Sequence, residues 1–212
     1  RLHATGWHDT YPILVGVWDE NVICSPSAQI WIPAVADGQP RVEGIFEQRV
    51  KGAGGEFVGS VPSTLDASTQ QRLRTEASQI SAVLQKLGYF GRCSVDAVLC
   101  QNEQDEAQIH WIECNGRWGG VSIPMTVSQQ LTGSQPAITI MQEIIPTKRM
   151  DTLALIRTLK DLLFEHEKQQ TGIIITSPPE RKQGMLLNLL AIADKQIIAD
   201  EILQETVARV TR

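Results

Sequence analysis

The chain has 212 residues, 42% of them hydrophobic and 20% charged, with 19 basic against 24 acidic side chains and a formal net charge of −5. That is ordinary globular composition with ample material for a core, and it excludes extensive disorder. Mild acidity argues against a general nucleic-acid or anionic-membrane binder, and no apolar run reaches the roughly 18 residues of a membrane span.

Residues 11–33 read as two extended segments, 12–18 and 28–32. Between them lies the turn chemistry of Asp19-Glu20-Asn21 and Ser25-Pro26-Ser27. Asp37-Gly38 is a hairpin signal, followed by a strand over 42–50. Gly52, Gly54 and Gly55 make the next turn before a strand over 56–61, so this region reads as an antiparallel meander. A helix follows. Ser68 and Gln71 form a capping box, and Leu73, Ala77, Ile80, Leu84 and Leu87 recur on one face before Gly88 ends the helix. Strands over 93–100 and 109–115 flank a polar turn.

Beyond Pro146 the pattern changes. An amphipathic helix covers 151–167, with Leu155, Leu159, Leu162 and Leu163 on its apolar side and Gly172 at its end. A strand over 173–176, a Pro178-Pro179 loop, a buried strand over 185–193 and a closing helix over 197–210 complete the chain. The expected fold class is α+β: an antiparallel sheet with packed helices over residues 1–145, then a small αββα subdomain over 146–212.

The chemistry gathers in two strands. Side chains of a strand alternate between faces. Glu113 and Asn115 therefore point one way, while Ile112 and Cys114 point to an apolar side. On the other strand Arg92, Ser94 and Asp96 share one face, and Val95, Ala97 and Leu99 share the opposite one. Paired as a hairpin, the two strands bring Asp96, Glu113 and Asn115 together. Two carboxylates and an amide oxygen suit Mg²⁺, a hard cation that shares the phosphates of its substrate. Arg92 and Arg117 flank the same face and suit anionic oxygens. A solvated sheet face with cross-strand ion pairs fits the same alternation. No Ser/His/Asp or Cys/His triad is visible. The four cysteines, Cys24, Cys93, Cys100 and Cys114, form no CxxC pair and are expected as reduced core thiols. His110 alternates away from Glu113 and is expected to pack or face solvent.

The run from Leu87-Gly88-Tyr89-Phe90-Gly91 through Asp96 to Glu113-Cys114-Asn115-Gly116-Arg117 resembles the ATP-grasp ligases. In that superfamily a helix leads through Gly to a strand ending near an acidic residue, then to a hairpin turn and a strand carrying Glu-x-Asn-x-Arg. The following Trp118-Gly119-Gly120 is similar to the pheganomycin-type peptide ligases. The likeness covers about residues 12–145. It implies ATP as co-substrate and Mg²⁺ or Mn²⁺ held by Asp96, Glu113 and Asn115, with Glu113 bridging two ions. It implies Arg117 at the transferred phosphoryl group, Gly119 and Gly120 where backbone approaches substrate, and Val17 and Trp18 where the hinge meets adenine. Trp18 reads equally as core packing, and the two glycines as a turn needing positive φ. Relatives carry an arginine two residues before the acidic ligand; here that residue is Ser94, and Arg92 stands four before it.

The family's first ATP lobe, with its phosphate-holding lysines, does not precede the hinge segment in this sequence. The chain, which opens on Arg1, is therefore expected to be the C-terminal half of a larger ligase. The activity implied is ATP-dependent carboxylate–amine ligation through an acyl-phosphate. Expected partners are small-molecule carboxylate and amine substrates, with no nucleic acid and no membrane, a cytoplasmic location, and homo-oligomerisation left open. The alternative is a non-catalytic nucleotide-binding or interaction module of the same fold.

Overall fold

The computed structural model describes residues 16, 18–52, 55–102, 104, 106–133, 136–148, 150–166, 168–177, 180–181 and 184–212. Of the first expected strand only Gly16 and Trp18 fall among them, in irregular backbone; Val17 and the Pro178-Pro179 loop lie outside the described residues. The strands are β1 (Val22–Cys24), β2 (Pro26–Ile32), β3 (Arg41–Lys51), β4 (Glu56–Pro62), β5 (Gly91–Gln101), β6 (Ala107–Asn115), β7 (Ala137–Ile144), β8 (Gly172–Ile175), β9 (Glu180–Arg181), β10 (Gly184–Met185) and β11 (Leu187–Ala193). The helices are α1 (Ala67–Lys86), α2 (Ser122–Thr132), α3 (Thr152–Leu159) and α4 (Gln196–Thr211). None of the described helices is long and apolar enough to cross a membrane.

Nine strands form one antiparallel sheet in the order β1-β5-β2-β3-β4-β7-β11-β8, with β6 on the remaining edge of β5. β9 and β10 make a separate ribbon. The α+β class and the β2–β3–β4 meander follow the sequence pattern. β5 takes β2 along Gly91–Asp96 and β1 at Leu99 and Cys100 on one edge, and β6 on the other.

Alternation decides which side of this sheet is oily. On β2, Ala28, Ile30 and Ile32 are buried with Cys93 and Val95 of β5 against Leu73 and Ala77 of α1. Each such large aliphatic side chain contributes about 1.5–3 kcal/mol by leaving water. The odd positions of β5 thus face α1, and its even positions face the opposite side. There Phe46 of β3 packs with Val121 and Met125 at and within α2, and with Ile138, Ile140, Leu190 and Ile192. β11 is buried on both faces, its odd positions packing against α3 and α4 through Leu155, Leu159, Ala199 and Leu203. A strand covered on both sides reads as a near-continuous apolar run, and Leu187–Ala193 does, interrupted only by the half-buried Asn188.

Where β4 meets β7, Gly59 lies directly against the Ile140 carbonyl, leaving no room for a side chain. Strand pairing also crosses the expected boundary at residues 145/146, because β7 on one side pairs with β11 on the other.

Several local expectations differ from the structure. Ser25-Pro26-Ser27 is not a free turn: Pro26 and Ser27 open β2, paired to Glu47 and Phe46. The cap of α1 is Asp66, whose carboxylate accepts from the backbone N–H of Ser68 and Thr69 at 2.9 and 3.0 Å; Ser68 and Gln71 do not form the expected box. Leu87 has left the helix and is exposed. The helix expected over 151–167 stops at Leu159. Leu163 then forms a parallel bridge with Ile173, and Leu162 and Leu163 reach the same core as Leu155 from irregular backbone. Gly172 accordingly begins β8 rather than ending a helix. The sequence pattern does not announce α2 or β7. α2 has no side-chain cap, carries Pro124 in its first turn and buries Ser122 and Ser128 beside Met125, so its apolar stripe is weak.

Candidate metal and nucleotide site

The β5–β6 register sets Asp96 directly opposite Glu113 and Ser94 opposite Asn115. On the other edge, β2 sets Ser27 opposite Asp96 and Gln29 opposite Ser94. Two rows of polar side chains therefore cross three adjacent strands on the face away from α1. They line a cleft of about 320 Å³. Gln48, Phe57 and Gln142 wall it from β3, β4 and β7, and Arg117, Gly119, Gly120 and Val121 close it from the segment after β6.

The carboxylate of Asp96 is held in place. Ser27 Oγ donates to its Oδ1 at 2.6 Å, and Gln29 Nε2 donates to that Ser27 oxygen at 2.8 Å. Asn115 Nδ2 donates to the other oxygen, Oδ2, at 3.4 Å. Arg117 Nη2 donates to Asn115 Oδ1 at 3.3 Å, which keeps the guanidinium at the rim. Burial pushes the Asp96 carboxyl above its ordinary range, hydrogen bonds from Ser27 and Gln48 pull it down, and the Glu113 charge pushes it up again. The upward influences prevail because an anion in a partly dry site has lost its hydration.

This donor set fits a hard divalent cation. It offers two carboxylates and an amide oxygen on adjacent positions of two strands, and the raised Asp96 carboxyl is an anion short of positive charge. The Asn115 amide presents its nitrogen to Asp96, so its oxygen ligates only after the terminal amide turns, a soft torsion.

Other expected residues stand elsewhere. Arg92 shares the strand face with Ser94 and Asp96 but does not line the cleft. Its side chain is only 9% exposed, ion-paired to Glu43 and set between Trp31 and Trp118 at 5.3 and 5.0 Å from the ring centres. Its charge is already spent within the fold. Trp18 is 78% exposed and lines neither this cleft nor the core. Ile112 is 61% exposed: a bulge between Asp96 and Ala97 pairs Ala97 with Trp111, so Trp111 takes the core side and Ile112 is pushed out. The expectation of four core thiols also changes. Cys93 and Cys100 are buried, but Cys24 is only partly covered, and Cys114 is exposed with its sulfur 3.6 Å from that of Cys93.

Neither Gly119 nor Gly120 has positive φ. Gly120 is there for space, because a Cβ would lie 2.8 Å from Gln142 Nε2 and 3.3 Å from Phe57. Gly119 carries no such demand, having only Arg117 at 3.8 Å.

Ser27, read from the sequence as part of a turn, and Gln29 and Gln142 are polar cleft residues that sequence reasoning did not place there, and Phe57 and Val121 join them. The signal for the first two lies in the run Ser27 to Ile32, where Ser27 and Gln29 alternate with Ala28 and Ile30. Both polar side chains are buried.

No protein-family model matches this sequence, and no curated protein does. Solved structures do. The chain matches glycinamide-RNase-transformylase T from Mycobacterium tuberculosis with a TM-score of 0.59 and 16% identity, over 90% of this chain and 52% of that one. It matches a biotin carboxylase–ATP complex from Campylobacter jejuni with a TM-score of 0.60 and 13% identity, over 91% and 46%. It matches N5-carboxyaminoimidazole synthetase from Staphylococcus aureus, complexed with ADP, with a TM-score of 0.54 and 12% identity, over 88% and 49%. The chain thus spans about half the length of these structures. At such identities the likeness concerns the fold alone, which is α+β and ATP-grasp-like.

Proposed function

We propose that this chain supplies the Mg²⁺-ATP-binding part of an ATP-dependent carboxylate–amine ligase that works through an acyl-phosphate. The observation that carries the reading is the cluster of Asp96, Glu113 and Asn115 on one face of paired strands in the cleft of an ATP-grasp-like fold.

Asp96, Glu113 and Asn115 would hold the ion or ions. Bound Mg²⁺ supplies charge neutralisation for the ATP phosphates. Ser27 and Gln29 fix the Asp96 carboxylate in one orientation, so little reorganisation is needed when charge arrives. Arg117 is the cation at the rim. Once Asn115 turns its oxygen inward, the guanidinium loses that acceptor and is free for an anionic oxygen of the transferred group. Gly120 keeps the cleft wall flush against Gln142 and Phe57. In such chemistry the protein orients the carboxylate and phosphoryl donor and excludes water, and positioning carries most of the rate. The substrates are a small-molecule carboxylate and an amine, as in the reaction class.

Thermal unfolding tests the reading. The midpoint is followed with Mg²⁺ and ATP together, with each alone, and in Glu113→Ala. A ligand that binds only the folded state stabilises it by mass action, by about 2.7 kcal/mol at a hundredfold excess over its Kd, and so raises the midpoint. The expected result is a shift that needs Mg²⁺ and ATP together and vanishes in the variant. An equal shift in Glu113→Ala overturns the assignment.

A further inference from the structure

The far end of the same β5–β6 hairpin carries a second cluster, which the proposed function does not use. Asp19 comes from the segment before β1, Cys100 from the end of β5, and His110 from β6. Pairing of β5 on both edges brings them together: Val22 of β1 faces Cys100, while Val98 and Cys100 face His110 and Gln108 of β6. His110 Nδ1 lies 2.6 Å from Asp19 Oδ1. One donor atom from each of the three side chains lies within 4.8 Å of the others. Cys100 is 5% exposed, Asp19 is partly covered and His110 opens to solvent. Cys100 lies four positions along the strand from Asp96, about 13 Å, so the two clusters are distinct places.

We propose that Asp19, Cys100 and His110 bind one zinc-class divalent ion, with water in the fourth position. A thiolate, an imidazole and a carboxylate are the donor types of Zn²⁺, whereas the all-oxygen set at Asp96 suits Mg²⁺. Ligands on a tetrahedral zinc sit roughly 3.3–3.8 Å apart, given bonds of about 2.0–2.3 Å. The His110–Asp19 contact of 2.6 Å opens by about 1 Å or less to reach that range, and the Cys100 sulfur already stands within 4.8 Å of both partners. The buried thiol on one side and the exposed imidazole on the other leave one coordination position facing solvent. The ion clamps the Asp19 segment to the hairpin and adds its binding free energy to folding.

The test uses the full chain, stripped with a chelator and titrated with Co²⁺ as a spectroscopic stand-in for Zn²⁺. The expected result is one thiolate-bound ion per chain, with a thiolate-to-cobalt charge-transfer band and the visible bands of tetrahedral cobalt. Cys100→Ser abolishes the charge-transfer band. His110→Ala and Asp19→Asn, at exposed or half-covered positions where folding is readily checked by circular dichroism, weaken binding by at least about 10-fold. Cys114→Ser leaves the band and its stoichiometry unchanged. Absence of the band in the parent chain, its persistence at full affinity in His110→Ala, or its loss in Cys114→Ser rather than Cys100→Ser overturns the proposal.

Discussion

Acidic side chains gather in two regions of this molecule, with opposite outcomes. At the seam between α3 and α4, Arg209 meets Asp161 through two hydrogen bonds of 2.6 and 2.9 Å and Glu205 through one of 2.8 Å. The fold itself supplies the balancing cation, and Arg209 holds the Asp161 carboxyl below its ordinary range. In the cleft, Asp96 and Glu113 face each other in register. Among the described residues the cation lining that cleft is Arg117, and its guanidinium is turned to Asn115. Burial pushes Asp96 above its ordinary range. One side-chain type thus moves in opposite directions according to whether the fold has provided its partner. The seam is electrostatically complete, and under the proposed function the cleft is completed by a cation from outside.

The sharpest way to break this contrast is Glu113→Gln, which keeps the size of the side chain and removes its charge. The Mg²⁺-ATP-dependent rise in unfolding midpoint is expected to disappear. In a ligase assay the rate is expected to fall on the order of 100-fold or more. A variant that keeps the wild-type response makes the cleft no more special than the seam.

Asp96→Asn separates binding from stability. The folded carboxyl titrates above its unfolded value of 3.8, so the folded state holds its proton over a pH range where the unfolded chain has lost it. Stability of the metal-free protein therefore falls as pH rises from the unfolded value through the folded one, then levels. The amide variant lacks that fall. Urea unfolding across about pH 4 to 7 is expected to show the variant more stable than the parent at the upper end, while its Mg²⁺-ATP response is lost. A variant less stable than the parent at neutral pH would show that the hydrogen bonds from Ser27 and Gln48 outweigh desolvation.

Gly120→Ala tests the cleft wall. The added methyl meets the flexible end of Gln142 and the edge of Phe57, so the chain is expected to fold while nucleotide affinity drops about 10-fold or less. Unchanged affinity by calorimetry would mean that the wall moves freely. The smallest effect is expected at the seam: Arg209→Met lowers the unfolding midpoint slightly, the loss shrinks at high salt, and nucleotide binding is untouched. Loss of the nucleotide response there would tie seam and cleft together.

Much of the candidate site is legible locally. Asp96, Glu113 and Asn115 sit in one hairpin, and period-two alternation with neighbouring apolar residues places them on one face without knowledge of the rest of the chain. The same rule fails by one residue at Ile112, because a bulge is a property of two strands together and leaves no mark in either run alone. Arg92 shows a second limit. Alternation puts it on the correct face, but Glu43, Trp31 and Trp118 come from three other places and take its charge out of the cleft.

The amino-acid sequence alone determined the α+β class, the β2–β3–β4 meander, α1 and the acidic hairpin, since each rests on periodicity or turn chemistry within a few residues. Tertiary structure alone decided what surrounds the acids. Ser27 reaches Asp96 across 69 residues of chain, and β7 enters the middle of the sheet between β4 and β11. Asp19 meets His110 across 91 residues. Such pairings depend on which strand edges meet, a choice made by burying both faces of the whole sheet at once, and no local window of residues contains it.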